Sequence, residues 1–329
     1  MSLVSIVVPT HNEAPNVAQL YQRLAAVFAG MPADDFELIF CDDSTDSTPE
    51  RVAALHAADP RVRLVRLSRR FGQAIALTAG LDRASGDAIV MMDADLQDPP
   101  ESIPDLIARW RDGYEIVYVQ RASGSSYPLY RVFSYLFYRL LRRMSSVEIP
   151  VDAGEFRLLD RKVVRYLQQL TEHTRYLRGL TVLPGFRQTS IQLQRAERLR
   201  GQTNYNFRRS ILVALDGILS FSILPLRLAT LLGSLMTCCS FLIALGYIVW
   251  KILDPSIFGA GWPSLMVSIL LLGGIQFIVL GILGEYIARV FIEVQNRPVY
   301  WVDYELGFGE NEAGPARPGV RRSAHEPRL

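Results

Sequence analysis

From residue 3 to about residue 120, short apolar runs alternate with amphipathic stretches. The runs are LVSIVVP (3–9), FELIFC (36–41), RVRLVRL (61–67), DAIVMM (87–92) and YEIVYV (114–119). Between them, residues 15–29, 49–58, 72–84 and 102–111 carry apolar positions at helical spacing. Strands separated by helices predict βαβ units, and hence an α/β fold with a doubly wound, mostly parallel sheet. In such sheets ligands gather beyond the carboxyl ends of the strands. Three polar clusters follow three of the runs: PTHNE (9–13), DDSTDST (42–48) and DADLQD (93–98). A parallel arrangement sets all three on one edge, which independent surface turns have no reason to share.

The pattern then changes. Residues 130–144, YRVFSYLFYRLLRRM, place Phe133, Leu136, Phe137, Leu140, Leu141 and Met144 on one helical face, with Arg131, Arg139, Arg142 and Arg143 as its basic part. Such a helix suits either packing on the sheet or a membrane surface. Two uncharged spans follow, Leu228–Trp250 and Pro255–Gly284, of 23 and 30 residues. At about 1.5 Å per residue the shorter reaches roughly 35 Å, against about 30 Å of hydrocarbon, so two transmembrane helices are expected. Arg208, Arg209 and Arg227 precede the first span and Arg289 and Arg297 follow the second, which predicts that both termini and the α/β domain are cytoplasmic, in a multi-pass protein of the inner membrane. Gly274, Gly281 and Ala288 recur every seven residues and permit a helix-packing seam or a homo-oligomer. The expected organisation is a catalytic domain over 1–206, an interfacial helix over 207–227, the membrane pair over 228–290 and a cytoplasmic segment over 291–329, disordered after about 309.

Composition supports this division. Half of the 329 residues are hydrophobic and the mean hydropathy is positive, as a membrane part requires. The net charge of +2 gives no indication of nucleic acid as a partner. Cys41 ends an apolar run and Cys238 and Cys239 lie in a hydrophobic span, so the cysteines form neither a disulfide framework nor a metal-ligand pattern. No basic and apolar leader opens the chain, so no secretory signal is expected.

The polar clusters carry the candidate chemistry. Asp93 and Asp95, two apart just after a strand, suit a hard divalent cation such as Mg²⁺ or Mn²⁺, and Gln97 offers a neutral oxygen. Asp42 and Asp43 suit hydrogen bonds from a base or a ribose. Ser47 or Thr48, just before Pro49, reads as a helix cap. Neither a G-x-G-x-x-G nor a Walker A sequence is present, so phosphate charge falls to metal and arginine. RAERLRGQTNY (195–205) offers Arg195, Arg198 and Arg200, which read either as a solvated face or as a clamp for a diphosphate or lipid phosphate.

SIVVPTHNEAPNV, CDDSTDST, RFGQAIALTAGLDRASGDAIVMMDADLQDPPE, GEFRLLDRKVV, RYLRGL, R-x-x-R-x-x-G-x-T-x-Y and GEYIARVFIEVQNRPVYWV follow one another in order. Together they resemble a polyprenyl-phosphate glycosyltransferase of glycosyltransferase family 2, with a GT-A catalytic domain, of the bactoprenol glucosyltransferase and dolichyl-phosphate mannose synthase type. The resemblance covers roughly residues 3–303. It implies inverting transfer of a sugar from a UDP- or GDP-linked donor to a membrane polyprenyl phosphate. By the resemblance, glucose from UDP-glucose is expected first and mannose from GDP-mannose second. It implies that Pro9, Asn12, Glu13, Asp42, Asp43, Asp93 and Ala94 hold the donor nucleotide, and that Asp93, Asp95 and Gln97 hold the metal. Arg131, Arg178, Arg195, Arg198 and Arg200 would meet donor or acceptor phosphate. Where the family shows GDFRL this chain has GEFRL, so Glu155 inherits the place of the catalytic carboxylate, with Asp152 as its nearest rival.

Two other classes fit less well. A processive polysaccharide synthase is expected to show a Q-x-x-R-W segment and more spans. A non-catalytic nucleotide-sugar sensor or flippase partner has no need to retain Asp93, Asp95 and Glu155.

Overall fold

The computed structural model describes residues 1–121, 153–173, 175–193, 224–253 and 261–309. The expected helices over 130–144 and 207–222 and the tail beyond 309 lie outside these residues. The described residues fall into two units, one holding the sheet and the other the two long helices.

In the sheet unit the alternation predicted from the sequence appears as β1 (Ser2–Thr10), α1 (Ala14–Ala29), β2 (Asp34–Asp42), α2 (Thr48–Ala58), β3 (Val62–Leu67), α3 (Gln73–Arg83), β4 (Ala88–Met91), α4 (Ile103–Arg111) and β5 (Ile116–Arg121). There follow β6 (Ala153–Asp160), α5 (Arg161–Gln169), the single turn α6 (Leu177–Leu180), β7 (Gln188–Leu193) and, after the long helices, β8 (Val302–Leu306). The strand order is β7-β5-β6-β4-β1-β2-β3-β8 in one sheet of eight.

That sheet is mixed: among the described residues four of its seven strand pairs are parallel, including β5 with β7, and three are antiparallel. β1 pairs in parallel with β2 and β4, and β2 with β3, as expected. β6 enters antiparallel between β4 and β5, and β8 closes the far edge antiparallel to β3. Both strands come from segments read as motif or tail, because five polar or charged residues among their thirteen mask the strand pattern.

Alternation along each strand explains the two covered faces. Val4, Ile6 and Val8 of β1 share a core with Leu20 and Leu24 of α1, Val52 of α2 and Leu106 of α4. The opposite face, with Val7 and Cys41, receives α3 so closely that a Cβ on Gly80 would stand 2.3 Å from Val7 Cγ1 and 2.6 Å from Cys41 Sγ. Only glycine permits that approach.

Asp59, after α2, ties three elements together. It accepts Arg61 Nη2 at 2.8 Å and Tyr21 Oη at 2.8 Å, and the Arg61 hydrogen bonds hold its carboxyl down to about 2. A depressed folded-state value contributes stability that is present above the ordinary carboxylate range and lost as pH falls through the folded value. Because Arg61 is itself well exposed, the contribution is about 1–2 kcal/mol after screening. Asp59→Asn is expected to lower the unfolding midpoint at pH 6 and to match the wild type near pH 2. Parallel melting curves at the two pH values check this.

The second unit holds α7 (Leu224–Leu253) and α8 (Trp262–Val294). Among the described residues one segment, Leu271–Val294, is long and apolar enough to cross a membrane, and none of it is buried. The first expected span, Leu228–Trp250, falls within α7, whose apolar stretch is the shorter Ala229–Ile243. The other expected span, Pro255–Gly284, is displaced, since α8 starts at Trp262 with Pro263 in its first turn and continues to Val294. A Cβ on Gly274 or Gly281 would meet nothing within 4 Å among the described residues, so no described helix is seated on these glycines.

Candidate active site

The parallel pairing of β1, β2 and β4 brings the three polar clusters to one edge, and the first two are bonded to each other across it. Thr10 Oγ1 donates to Asp42 Oδ1 at 2.9 Å, and His11 Nδ1 donates to Asp43 Oδ1 at 2.8 Å. The Asn12 amide donates to Ser44 Oγ at 2.8 Å, and Asn12 Oδ1 accepts the Thr45 amide at 2.9 Å. The Glu13 amide donates to Thr48 Oγ1 at 3.0 Å. Asn12 makes this turn with φ of 61°, a conformation asparagine tolerates better than most residues. Pro9, one residue before the end of β1, lies abreast of Cys41 and is half-buried.

Each acid then has its own setting. Asp42 is fully enclosed, with 0% of its surface exposed, and its carboxylate takes hydrogen bonds from Thr10, Ser44 and Arg66. A direct nucleoside contact by Asp42 is therefore not met by this geometry: its oxygens already serve the protein. Asp43 Oδ2 accepts the amides of Phe71 at 3.0 Å and Gly72 at 3.3 Å, which anchors the β3–α3 turn. Gly72 stands in that turn at φ of 93°. Glu13 Oε2 accepts from Asn16 Nδ2 at 2.6 Å. Burial, aided by the negative charges of Asp95 and Asp46, pushes the Glu13 carboxyl up. The cap of α2 also differs from expectation. Ser47 makes no capping bond, and Asp46 accepts the Thr48 amide at 3.0 Å instead.

At the end of β4, Asp93 Oδ1 accepts from Gln73 Nε2 at 2.6 Å, and Ala94 is buried. Asp95 is exposed. It takes the Gln97 amide on Oδ1 at 3.1 Å and Gln97 Nε2 on Oδ2 at 2.5 Å. Gln97 thus meets Asp95 as a donor. Between them Leu96 sits at φ of 61°, a strained placement for leucine of the kind that clusters at ligand sites.

β4 and β6 pair up to Met91 and Arg157, so Asp93 and Glu155 each lie two residues beyond that pair on the same edge. Arg178, expected to meet phosphate, donates Nε to Glu155 Oε1 at 2.6 Å. Asp152, Arg131, Arg195, Arg198 and Arg200 lie outside the described residues. Arg66, His11, Gln73 and Arg157 were missed by sequence reading. For Arg66 a signal existed: an arginine inside the apolar run RVRLVRL needs a partner, and Asp42 is its neighbour in the β2–β3 register.

Residues 5–167 match the family described as Glycosyl transferase family 2. A bactoprenol glucosyl transferase of Shigella phage SfII is 40% identical over 302 residues, spanning 90% of this chain and 96% of its own. The chain belongs to glycosyl transferase family 2. It is a glycosyltransferase, with a mixed sheet of GT-A type. An uncharacterised family relative from Synechocystis sp. (strain ATCC 27184 / PCC 6803 / Kazusa), also named a glycosyltransferase, is 42% identical over 301 residues, 91% of this chain and 94% of its own. Among solved structures, a mannosyltransferase from Pyrobaculum calidifontis in complex with GDP-Man and Mn²⁺ is 16% identical, covering 89% of this chain and 87% of its own at a TM-score of 0.47.

For this glycosyltransferase the donor chemistry at the sheet edge suits a divalent cation. Among the described residues no group of three or more His, Cys, Asp or Glu side chains is placed to hold a metal alone. Mg²⁺ and its analogues are commonly held by one or two carboxylates together with substrate phosphates.

Proposed function

We propose that the chain transfers a sugar, glucose from UDP-glucose first among donors, to a membrane polyprenyl phosphate at the cytoplasmic face, with inversion at the anomeric carbon. The observation that carries this reading is that similarity to bactoprenol glucosyl transferases runs along 90% of the chain, so it includes the apolar helices as well as the sheet. The exposed apolar segment Leu271–Val294 supports a membrane-bound acceptor, and the arginines flanking the helices support a cytoplasmic catalytic unit. The division proposed is catalytic over 1–206, interfacial over 207–227, membrane-embedded over 228–290 and cytoplasmic over 291–329.

In this reading Pro9, Asn12, Glu13, Asp43 and Ala94 border the nucleoside, while Asp42 holds the edge together from beneath. Asp93 and Asp95 hold Mg²⁺ or Mn²⁺, with Gln97 steadying Asp95. When bound, the cation neutralises charge on the diphosphate leaving group. The acceptor is a phosphate monoester that already carries about −1.5 to −2 charge near neutral pH, so it needs less help from a base than a sugar hydroxyl does. Glu155 then acts chiefly by aligning the reactants, and Arg131, Arg195, Arg198 and Arg200 serve the phosphates.

The test is transfer by the full chain in detergent from a panel of labelled nucleotide sugars to undecaprenyl phosphate. The expected result is one labelled lipid, formed from UDP-glucose. Folded protein that labels no lipid from any donor would overturn the reading.

A further inference from the structure

Glu155 sits in a closed circuit of hydrogen bonds that neither the family motif nor the donor site accounts for. Arg178 Nε donates to Glu155 Oε1 at 2.6 Å. The carbonyl of Arg178 accepts Thr181 Oγ1 at 3.2 Å, and Thr181 Oγ1 accepts Arg157 Nη1 at 3.0 Å. Arg157 Nη2 returns to the carbonyl of Gly154 at 2.8 Å, the residue directly before Glu155. Both the backbone and the side chain of Glu155 are thereby gripped from one ring.

The components are costly, which argues against accident. Arg157 is 3% exposed in the middle of the sheet, level with Met91 and Tyr118. A buried guanidinium needs compensation. Burial works against its charge, and the Glu155 carboxylate is the group that offsets it, with Arg178 opposing and Tyr176 and Tyr118 nearby. Thr181 is wholly buried and uses its hydroxyl as donor and acceptor at once. Glu155 Oε2 is buried and without a hydrogen-bond partner among the described residues, so the ring fixes one carboxylate oxygen and leaves the other for something else.

We propose that Arg157 and Thr181 are positioning residues for Glu155, locking its carboxylate in a single orientation. The inference rests on the alignment role given to Glu155 above. Arginine suits the task because one planar fork reaches two acceptors in fixed directions.

The experiment measures sugar transfer by the full-length enzyme with Thr181→Val, Thr181→Ser, Arg157→Lys and Glu155→Gln. Thr181→Val keeps shape but breaks the ring twice. It is expected to lower kcat about 10-fold or more, since misplacing a group by an ångström costs about 10²-fold, with KM for the donor unchanged. Arg157→Lys, which keeps the charge and loses the fork, should fall likewise, and Thr181→Ser should restore most of the rate. In the Glu155→Gln background, Thr181→Val should cost nothing further, which a merely structural role would not produce. Folded Thr181→Val with unchanged kcat, or an equal loss in both backgrounds, would overturn the inference while leaving the role of Glu155 standing. A fully active Glu155→Gln enzyme would instead remove that role, and the inference with it.

Discussion

Asp95→Asn is expected to lower sugar transfer by about 10³-fold, or roughly 4 kcal/mol of barrier, while leaving the fold unchanged. The two halves of that statement come from the same geometry. Asp95 is exposed and its hydrogen bonds are local, both from Gln97, so the fold loses almost nothing when its charge is removed. The proposed donor diphosphate loses one of the two carboxylates that would hold its cation. Asp93→Asn should lower transfer similarly, and it also weakens the contact from Gln73 on α3, so its melting temperature should drop more than that of Asp95→Asn. A thermal-shift titration with Mn²⁺ and a nucleoside diphosphate gives a readout independent of turnover: the wild type should be stabilised and Asp95→Asn should not. Chelator should reduce the wild-type rate to that of the variant. Transfer by Asp95→Asn at the wild-type rate would remove the metal assignment.

The second large effect concerns stability. Arg66→Ala is expected to destabilise the sheet unit by about 3–5 kcal/mol, because it leaves a buried carboxylate without its counter-charge. Asp42 has no exposed surface, whereas 21% of the Arg66 side chain reaches solvent. The asymmetry gives a sharper form of the prediction. Asp42→Asn leaves an arginine that water can reach, so it should cost less than Arg66→Ala. The pair Asp42→Asn with Arg66→Met should recover much of the loss. Because Arg66 Nη2 also holds the Ser44 carbonyl at 2.6 Å, donor binding should weaken in Arg66→Ala beyond the effect of unfolding. Unfolding midpoints of the full chain in detergent, with nucleotide binding measured well below them, separate the two. Equal costs for Arg66→Ala and Asp42→Asn would contradict the burial argument.

How much of this was legible in the sequence depends on how far apart the partners lie. The runs 3–9, 36–41 and 61–67 became β1, β2 and β3 within a few residues, since period and apolar content are local properties. The common edge of the three polar clusters followed from parallel pairing. Which oxygen holds which donor did not follow. Asp42 looked like a ligand contact because its sequence neighbours are polar, yet Arg66, 24 positions on, is what encloses it. Arg178 was read as a phosphate contact through the family resemblance, and its bond through Nε to Glu155, 23 positions away, was not legible in the sequence. Antiparallel entry of β6 was hidden because Glu155, Arg157 and Asp160 interrupt its apolar pattern, each for a reason of its own: Glu155 and Arg157 belong to the ring, and Asp160 caps α5 through the Lys162 amide. Polar residues that a strand cannot bury cheaply mark a site as much as they obscure a strand.

β8 was likewise absent from the reading, and its attachment is extensive. The Ser68 amide donates to the Trp301 carbonyl at 3.0 Å, Tyr300 Oη donates to buried Asp82 at 2.8 Å, and Arg83 Nε donates to Glu305 at 2.8 Å. These bonds join residues more than 200 positions apart. On the ribosome, β3 emerges early and β8 last, with both long helices made in between. For all that time β3 is an open edge, a row of amides and carbonyls ready to pair with another chain. Synthesis of the two long helices is therefore an event inside the folding of the catalytic sheet, not a step that precedes or follows it. A catalytic fragment cut before α7 would keep its acids and lose its last strand. To stay soluble, it would need residues 296–309 supplied as a graft.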